Sequence, residues 1–71
     1  MDIEVYTARY EREHGQKPQG RRYWRFVLVS SSIAAGDHFL DLGEQMTYPH
    51  ALARAQEVAR LRKSVRIIVE P

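Results

Sequence analysis

The chain has 71 residues, no cysteine and a formal net charge of +2 at neutral pH. A chain of this length has room for one hydrophobic core, and without cysteine it forms neither a disulfide nor a cysteine-ligated zinc site. Its longest uninterrupted apolar run is "FVLV" at residues 26–29, far short of the roughly 20 residues that cross a membrane as a helix. The first ten residues lack the basic and apolar stretches of a signal peptide. We therefore expect one domain that works in the cytoplasm and makes no membrane contact.

The first two predicted elements form a hairpin. Residues 3–13 alternate between two sets of side chains, as a strand does. The two faces of that strand carry Tyr6, Ala8 and Tyr10 on one side and Ile3, Val5 and Thr7 on the other. Residues 14–20 contain two glycines and a proline, which is typical of a loop, and residues 21–30 alternate again. The pattern predicts a long antiparallel hairpin from residue 2 to residue 30.

The second half of the chain predicts a strand, a helix and a final strand. Residues 38–42 form the third strand, which stops at Gly43. Thr47 is placed to cap a helix over residues 47–63, and the proline two positions later suits the first helical turn. The apolar stripe of this helix consists of Tyr48, Ala51, Leu52, Ala55, Val58 and Ala59. Residues 65–69 follow as the last strand.

These elements predict an α+β fold of the order β-β-β-α-β, a single small domain in which one amphipathic helix packs on one face of an antiparallel sheet. The three alanines of the helix let it lie close to the sheet. The side chains predicted to meet the helix are Trp24, Phe26, Leu28, Leu40, Leu42, Val65, Ile67 and Val69.

One helix covers one face of a sheet, so the other face of this sheet is predicted to be open. The side chains expected on it are Tyr23, Arg25, Val27, Val29, Phe39 and Ile68, with either Tyr6 and Tyr10 or Ile3 and Val5. A contiguous apolar and aromatic patch usually marks an interface, and Tyr and Arg are enriched at binding hot spots. Three occupants remain open at this point: a second copy in a homodimer, a different protein, or a nucleic acid.

The sequence carries no pattern of a catalytic or metal site. The histidines at 14, 38 and 50 are scattered, and none has a second ligand at metal-site spacing. The serines at 30–32 have no base at a defined spacing, and the four glycines are isolated, so neither an activated nucleophile nor a phosphate-binding loop is indicated. We expect a protein that is not an enzyme and holds no cofactor or metal.

A nucleic-acid surface is the alternative function. The stretch "RRYWRF" at residues 21–26 interleaves arginine with aromatic residues, as strand-based nucleic-acid readers do. Against this, the acidic residues at 37, 41 and 44 would oppose phosphate, and a net charge of +2 is small for a surface that neutralises many phosphates. The residues of this alternative nucleic-acid surface are Arg21, Arg25, Arg60, Arg62, Lys63 and Arg66.

Residues 38–63 resemble the end of the three-strand-plus-helix DNA-binding domain of integrase arm-type proteins. In that family a strand closes with a glycine, and a threonine begins a helix punctuated by alanines. The matching positions here are Gly43, Thr47, Ala51, Ala55 and Ala59. The resemblance implies a sheet that enters the major groove, with Arg21, Tyr23 and Arg25 on the DNA.

The whole chain is similar, in size and architecture, to small proteins of phages and mobile elements, of which the anti-CRISPR inhibitors are the best-known group. Many of these are single αβ domains without an active site that bind and block a host protein machine. The resemblance implies an inhibitor or adaptor that acts by steric occlusion. Our prediction is accordingly a module that docks on a protein partner. The residues predicted to contact the partner are Arg21, Arg22, Tyr23, Arg25 and Phe39.

Overall fold

The computed structural model describes residues 3–31 and 36–71. The elements within them, in chain order, are β1 (Glu4–Tyr6), α1 (Ala8–His14), β2 (Arg21–Ser30), β3 (His38–Thr47), α2 (Tyr48–Leu61) and β4 (Ser64–Val69). The predicted α+β class is confirmed. The order of elements is β-α-β-β-α-β, however, with one more helix than the sequence predicted.

The strands form one mixed sheet in the order β1-β4-β2-β3. β2 runs antiparallel to both β3 and β4, whereas β1 runs parallel to β4, with Val5 opposite Ile67. The predicted hairpin from residue 2 to residue 30 is therefore wrong, because the first strand pairs with the last and β4 lies between β1 and β2. Residue 2 itself lies outside the described residues.

α1 occupies the stretch that was predicted as the second half of the first strand. Tyr10 and His14 are four positions apart, a spacing that puts two side chains side by side on a helix. Their ring centroids lie 4.2 Å apart. The Thr7 hydroxyl donates to the Glu11 carboxylate, and the Thr7 carbonyl accepts the Glu11 backbone N–H at 2.9 Å. Gly15 ends the helix in the left-handed conformation, with a φ of 71°. As a result Tyr10 lies in the core, only 2% exposed.

β3 is longer than the strand predicted over residues 38–42, because the chain continues through Gly43 instead of turning there. Between Asp41 and Gln45, three residues of β3 lie opposite a single residue of β2, Trp24. Gly43 permits this bulge, since its φ of 73° costs glycine little. Its N–H donates to the Asp41 carboxylate at 3.1 Å. The bulge inserts an even number of residues, so Asp41 and Gln45 stay on the same face.

α2 begins one residue later than predicted, with Thr47 as its N-cap, and ends two residues earlier. Thr47 has the extended backbone of an N-cap residue, with φ −68° and ψ 157°, and a proline lies in the first turn. The helix ends at Leu61 because the chain turns at Lys63, whose φ is 56°. This turn leads directly into β4.

The core lies between the helices and one face of the sheet. α2 presents three alanines with no exposed surface, which lets the helix lie close to the strands. Of the predicted core residues, Trp24, Phe26, Leu28, Ile67 and Val69 are buried, and Leu40 and Leu42 pack against them partly buried. The prediction for Val65 is wrong, because that side chain is 37% exposed. The register between β2 and β4 shifts by one residue between Val29 and Ser30. As a result Ser64, and not Val65, is buried at this end of β4.

Candidate functional site

Both helices pack on the same face of the sheet, and within the described residues no helix covers the other face. We call this second surface the open face. Successive side chains of a strand point to opposite sides, so the residues between the buried Trp24, Phe26 and Leu28 point to it. The side chains of the open face are Glu4, Tyr6, Arg21, Tyr23, Arg25, Val27, Val29, Phe39, Asp41, Gln45, Arg66 and Ile68.

An apolar row crosses the open face from one edge strand to the other. Tyr6 lies opposite Ile68, Ile68 opposite Val27, and Val27 opposite Phe39. Phe39 is 77% exposed and Tyr6 is 41% exposed, whereas Val27, in the middle, is only 4% exposed. The four side chains therefore lie side by side across the sheet, and most of the exposed surface of the row belongs to its two aromatic ends.

Ion pairs flank the apolar row at its two sides. Arg66 Nε lies 3.9 Å from Glu4 Oε2, and its guanidinium stands 4.6 Å from the ring centroid of Tyr6. Arg25 Nε lies 3.7 Å from Asp41 Oδ2 on the other side. All four charged side chains keep 44% or more of their surface exposed, so each pair adds at most about 1 kcal/mol to stability. Their main effect is to balance the charge beside the apolar row.

The Tyr6 hydroxyl is hydrogen-bonded within the open face. It donates a hydrogen bond to Glu4 Oε2 at 2.5 Å. This bond, more than any other influence, raises the pKa of the Tyr6 hydroxyl above its ordinary value of 10.0, whereas the nearby positive charge of Arg66 acts in the opposite direction. At neutral pH the end of the row at β1 is thus an uncharged aromatic ring.

A depression of about 350 Å³ lies beside the row, where β2, β3 and the chain end after β4 meet. It is lined by Arg25, Phe26, Phe39, Leu40, Asp41, Glu70 and Pro71. Phe39 and the Arg25–Asp41 pair thus belong both to this lining and to the open face.

Four of the five residues predicted to contact a protein partner lie on the open-face side of the sheet, as expected from the alternation of β2 and β3. Tyr23 is 57% exposed and Phe39 is 77% exposed, and the Arg25 side chain is 70% exposed beside Asp41. Arg21 is exposed at the start of β2, opposite Thr47.

Arg22, the fifth residue predicted to contact the partner, does not lie on the open face. It shares the inner face of β2 with Trp24, and its guanidinium carbon lies 5.1 Å from the Trp24 ring centroid and 5.5 Å from that of Tyr10. Its Nη1 donates to the Tyr10 hydroxyl at 3.3 Å and lies 3.4 Å from His14 Nε2. Arg22 therefore holds α1 against the sheet.

The six residues of the alternative nucleic-acid surface do not share one surface. Arg25 and Arg66 lie on the open face, where each is paired with a carboxylate. Arg60 and Lys63 instead line a separate depression of about 440 Å³ with Ile3, Ser31, Ser64 and Val65. Arg62 is exposed in the turn after α2, and Arg21 begins β2.

The sequence left one part of the open face undecided, namely the contribution of the first strand. The structure places Tyr6 on the open face and Tyr10 in the core, because α1 begins between them. Glu4, which pairs with Arg66, was not foreseen as part of this surface. The alternation of β1 alone groups Glu4 with Tyr6, so that signal was present in the sequence once the strand was known to be short.

Within residues 3–31 and 36–71, no three histidine, aspartate or glutamate side chains come close enough together to hold a metal ion. Of the serines at 30–32, Ser32 lies outside the described residues. No helix in the described ranges is both long and apolar enough to cross a membrane.

No family model and no curated protein sequence matches this chain, and no solved structure matches its fold. The resemblances to integrase arm-type domains and to anti-CRISPR inhibitors stay predictions. The function is therefore inferred from the open face itself.

Proposed function

We propose that this domain is a non-enzymatic binding module that docks on a protein partner through the open face and acts by steric occlusion, as an inhibitor of the anti-CRISPR kind or as an adaptor. The observation that carries the proposal is the apolar row, which no described element covers and which ends in Phe39, 77% exposed. The proposal includes a cytoplasmic location, because a cysteine-free chain suits a reducing compartment.

The composition of the open face matches what a protein interface needs. A central apolar strip supplies the favourable free energy, since fully burying one Phe side chain is worth about 1.5–3 kcal/mol. Polar and charged residues around such a strip exclude water from it without contributing much themselves. Tyr23, Arg25 and Asp41 are placed to form this rim next to Phe39.

A protein partner is favoured over a nucleic acid by the pairing of the arginines. A phosphate would have to compete with Asp41 for Arg25 and with Glu4 for Arg66, at 3.7 Å and 3.9 Å respectively. Binding to nucleic acid draws its affinity mainly from unneutralised positive charge. The open face offers apolar surface in place of such charge.

The test is capture of partners from cells that contain the protein, using the tagged wild-type chain and three variants, with quantitative mass spectrometry as the readout. Phe39→Glu is expected to lose the specific partner, because it puts a charge at the exposed end of the apolar row. Leu61→Glu is the matched control, since Leu61 is equally exposed at 81% but lies at the end of α2. Tyr23→Ala combined with Arg25→Ala is also expected to abolish capture and to leave the fold intact. A partner retained equally by all variants would contradict the proposal.

A DNA titration tests the alternative function, in which the open face binds nucleic acid. Labelled duplex and single-stranded DNA of mixed sequence are titrated with the protein, with fluorescence anisotropy as the readout, at about 50 and 200 mM salt. We expect no micromolar binding at either salt concentration. DNA binding at about 50 mM salt that is lost at about 200 mM salt would instead indicate that the open face binds nucleic acid.

A further inference from the structure

The apolar row has the same character when followed from either edge of the sheet. Its order from β1 to β3 is aromatic, aliphatic, aliphatic, aromatic: Tyr6, Ile68, Val27 and Phe39. The midpoint lies between the two central strands. Consider a second copy whose open face is turned toward the first. A two-fold axis that runs parallel to the strands, midway between the two sheets and through the midpoint of the row, relates the two copies. It brings the Tyr6 end of each row over the Phe39 end of the other. The row is therefore complementary to itself.

The charges beside the row also allow two copies to approach. A face with a large excess of one sign repels an identical face. Here Arg66 is balanced by Glu4 on one side of the row, and Arg25 by Asp41 on the other. Two such faces meet without net repulsion at their centres.

We propose that, in the absence of its protein partner, the open face is covered by a second copy of the chain, packed sheet to sheet about this two-fold axis. Tyr6 of each copy then lies over Phe39 of the other, and Ile68 lies over Val27. The inference rests on the proposed function, because it takes the open face to be a protein-docking surface. It adds regulation, since the dimer must separate before the partner binds.

The area of the open face suits a weak dimer. The strands are spaced about 4.8 Å apart and rise about 3.3 Å per residue, so their three, six, ten and ten residues give a footprint of roughly 460 Å² per copy. Two copies together cover about 900 Å², which is below the 1,200–2,000 Å² of stable interfaces and in the range of weak, transient ones. A dimer of this size exchanges readily with a tighter partner.

The first test is sedimentation equilibrium of the wild-type chain, Phe39→Glu and Leu61→Glu over about 1–200 µM. Wild type and Leu61→Glu are expected to dimerise in this range, whereas Phe39→Glu is expected to bind itself at least about 30-fold more weakly, the loss typical of a hot-spot residue. Circular dichroism checks that both variants are folded. A wild-type chain that is monomeric at the highest concentration overturns the inference.

The second test fixes the arrangement and uses the absence of cysteine from the natural chain. Tyr6→Cys and Phe39→Cys are prepared as separate proteins and are oxidised alone and as a mixture. Positions 6 and 39 lie on opposite edge strands, three strand spacings or roughly 14 Å apart. In a dimer of one variant alone, the proposed axis puts the two identical cysteines at opposite ends of the row, too far apart for a disulfide. The proposed axis predicts that the mixture cross-links far more than either variant alone. Cross-linking that is strongest in the unmixed proteins, or absent from all of them, overturns the arrangement.

Failure of the inference and failure of the proposed function give different results. If the wild-type chain is monomeric and Phe39→Glu abolishes partner capture, the dimer is excluded and the partner site is retained. If Phe39→Glu separates a wild-type dimer but leaves partner capture unchanged, the dimer is confirmed and the partner binds another surface.

Discussion

Trp24→Ala is expected to remove a large share of the domain's free energy of unfolding at 25 °C. Truncating a buried tryptophan to alanine costs about 3–5 kcal/mol, and a domain of this length has a total stability of about 4–11 kcal/mol at the usual 0.05–0.15 kcal/mol per residue. Trp24 is 1% exposed. The measurement is urea unfolding followed by circular dichroism, because the variant lacks the tryptophan that a fluorescence assay would use.

The physical reason for so large an effect is that one side chain joins four elements. The Trp24 ring centroid lies 5.4 Å from that of Tyr10 in α1 and 5.1 Å from that of Tyr48 in α2. Its Nε1–H donates to the Met46 carbonyl of β3 at 2.8 Å, beside the bulge, and Arg22 of β2 stacks on its ring. Removal of the indole opens a cavity between both helices and the sheet.

Two further variants separate packing from the hydrogen bond. Trp24→Phe keeps most of the apolar contact but leaves the buried Met46 carbonyl without its donor, which costs about 1–3 kcal/mol. Tyr23→Ala, at the adjacent exposed position, is expected to change stability by less than about 0.5 kcal/mol. Equal unfolding midpoints for Trp24→Ala and Tyr23→Ala would mean that the assignment of the two faces of β2 is reversed.

The central part of the fold could be predicted from the sequence because its signals are local. The alternation of residues 21–30 gives the two faces of β2, and the spacing of Ala51, Ala55 and Ala59 gives the buried side of α2. Both signals extend over ten residues or more, long enough to separate a period of two from a period of 3.6.

The N-terminal part could not be predicted because its signals are short and its pairing is non-local. β1 has three residues and α1 has seven, and within so few positions both periods fit the same apolar side chains. The partner of β1 is β4, at the far end of the chain. Nothing in either strand encodes that pairing, since hairpin neighbours are the default expectation for consecutive strands.

The candidate site was partly predictable for the same reasons. Tyr23, Arg25 and Phe39 follow from the alternation of β2 and β3, whereas the apolar row depends on strand order and register. Tyr6 and Phe39 stand at opposite ends of one row only because β4 and β2 lie between them. Arg22 was misplaced because its charge suggested an exposed rim, whereas the aromatic rings of the inner face hold its guanidinium.

Ala55→Leu is expected to destabilise the domain by about 1–3 kcal/mol, the usual cost of forcing extra methylene groups into a packed core. Ala55 has no exposed surface, and the close approach of α2 to the sheet leaves no room for a longer side chain. The measurement is the free energy of unfolding in urea, with tryptophan fluorescence as the readout, since Trp24 is kept.

Ala53→Leu is the matched control, because Ala53 is exposed on the same helix and leucine has nearly the helix propensity of alanine. It is expected to be within about 0.5 kcal/mol of wild type. If both leucines are tolerated equally, α2 does not lie close to the sheet. The helix would then be free to shift across the strands, and the inner and outer faces on which the partner site depends would no longer be fixed by the core.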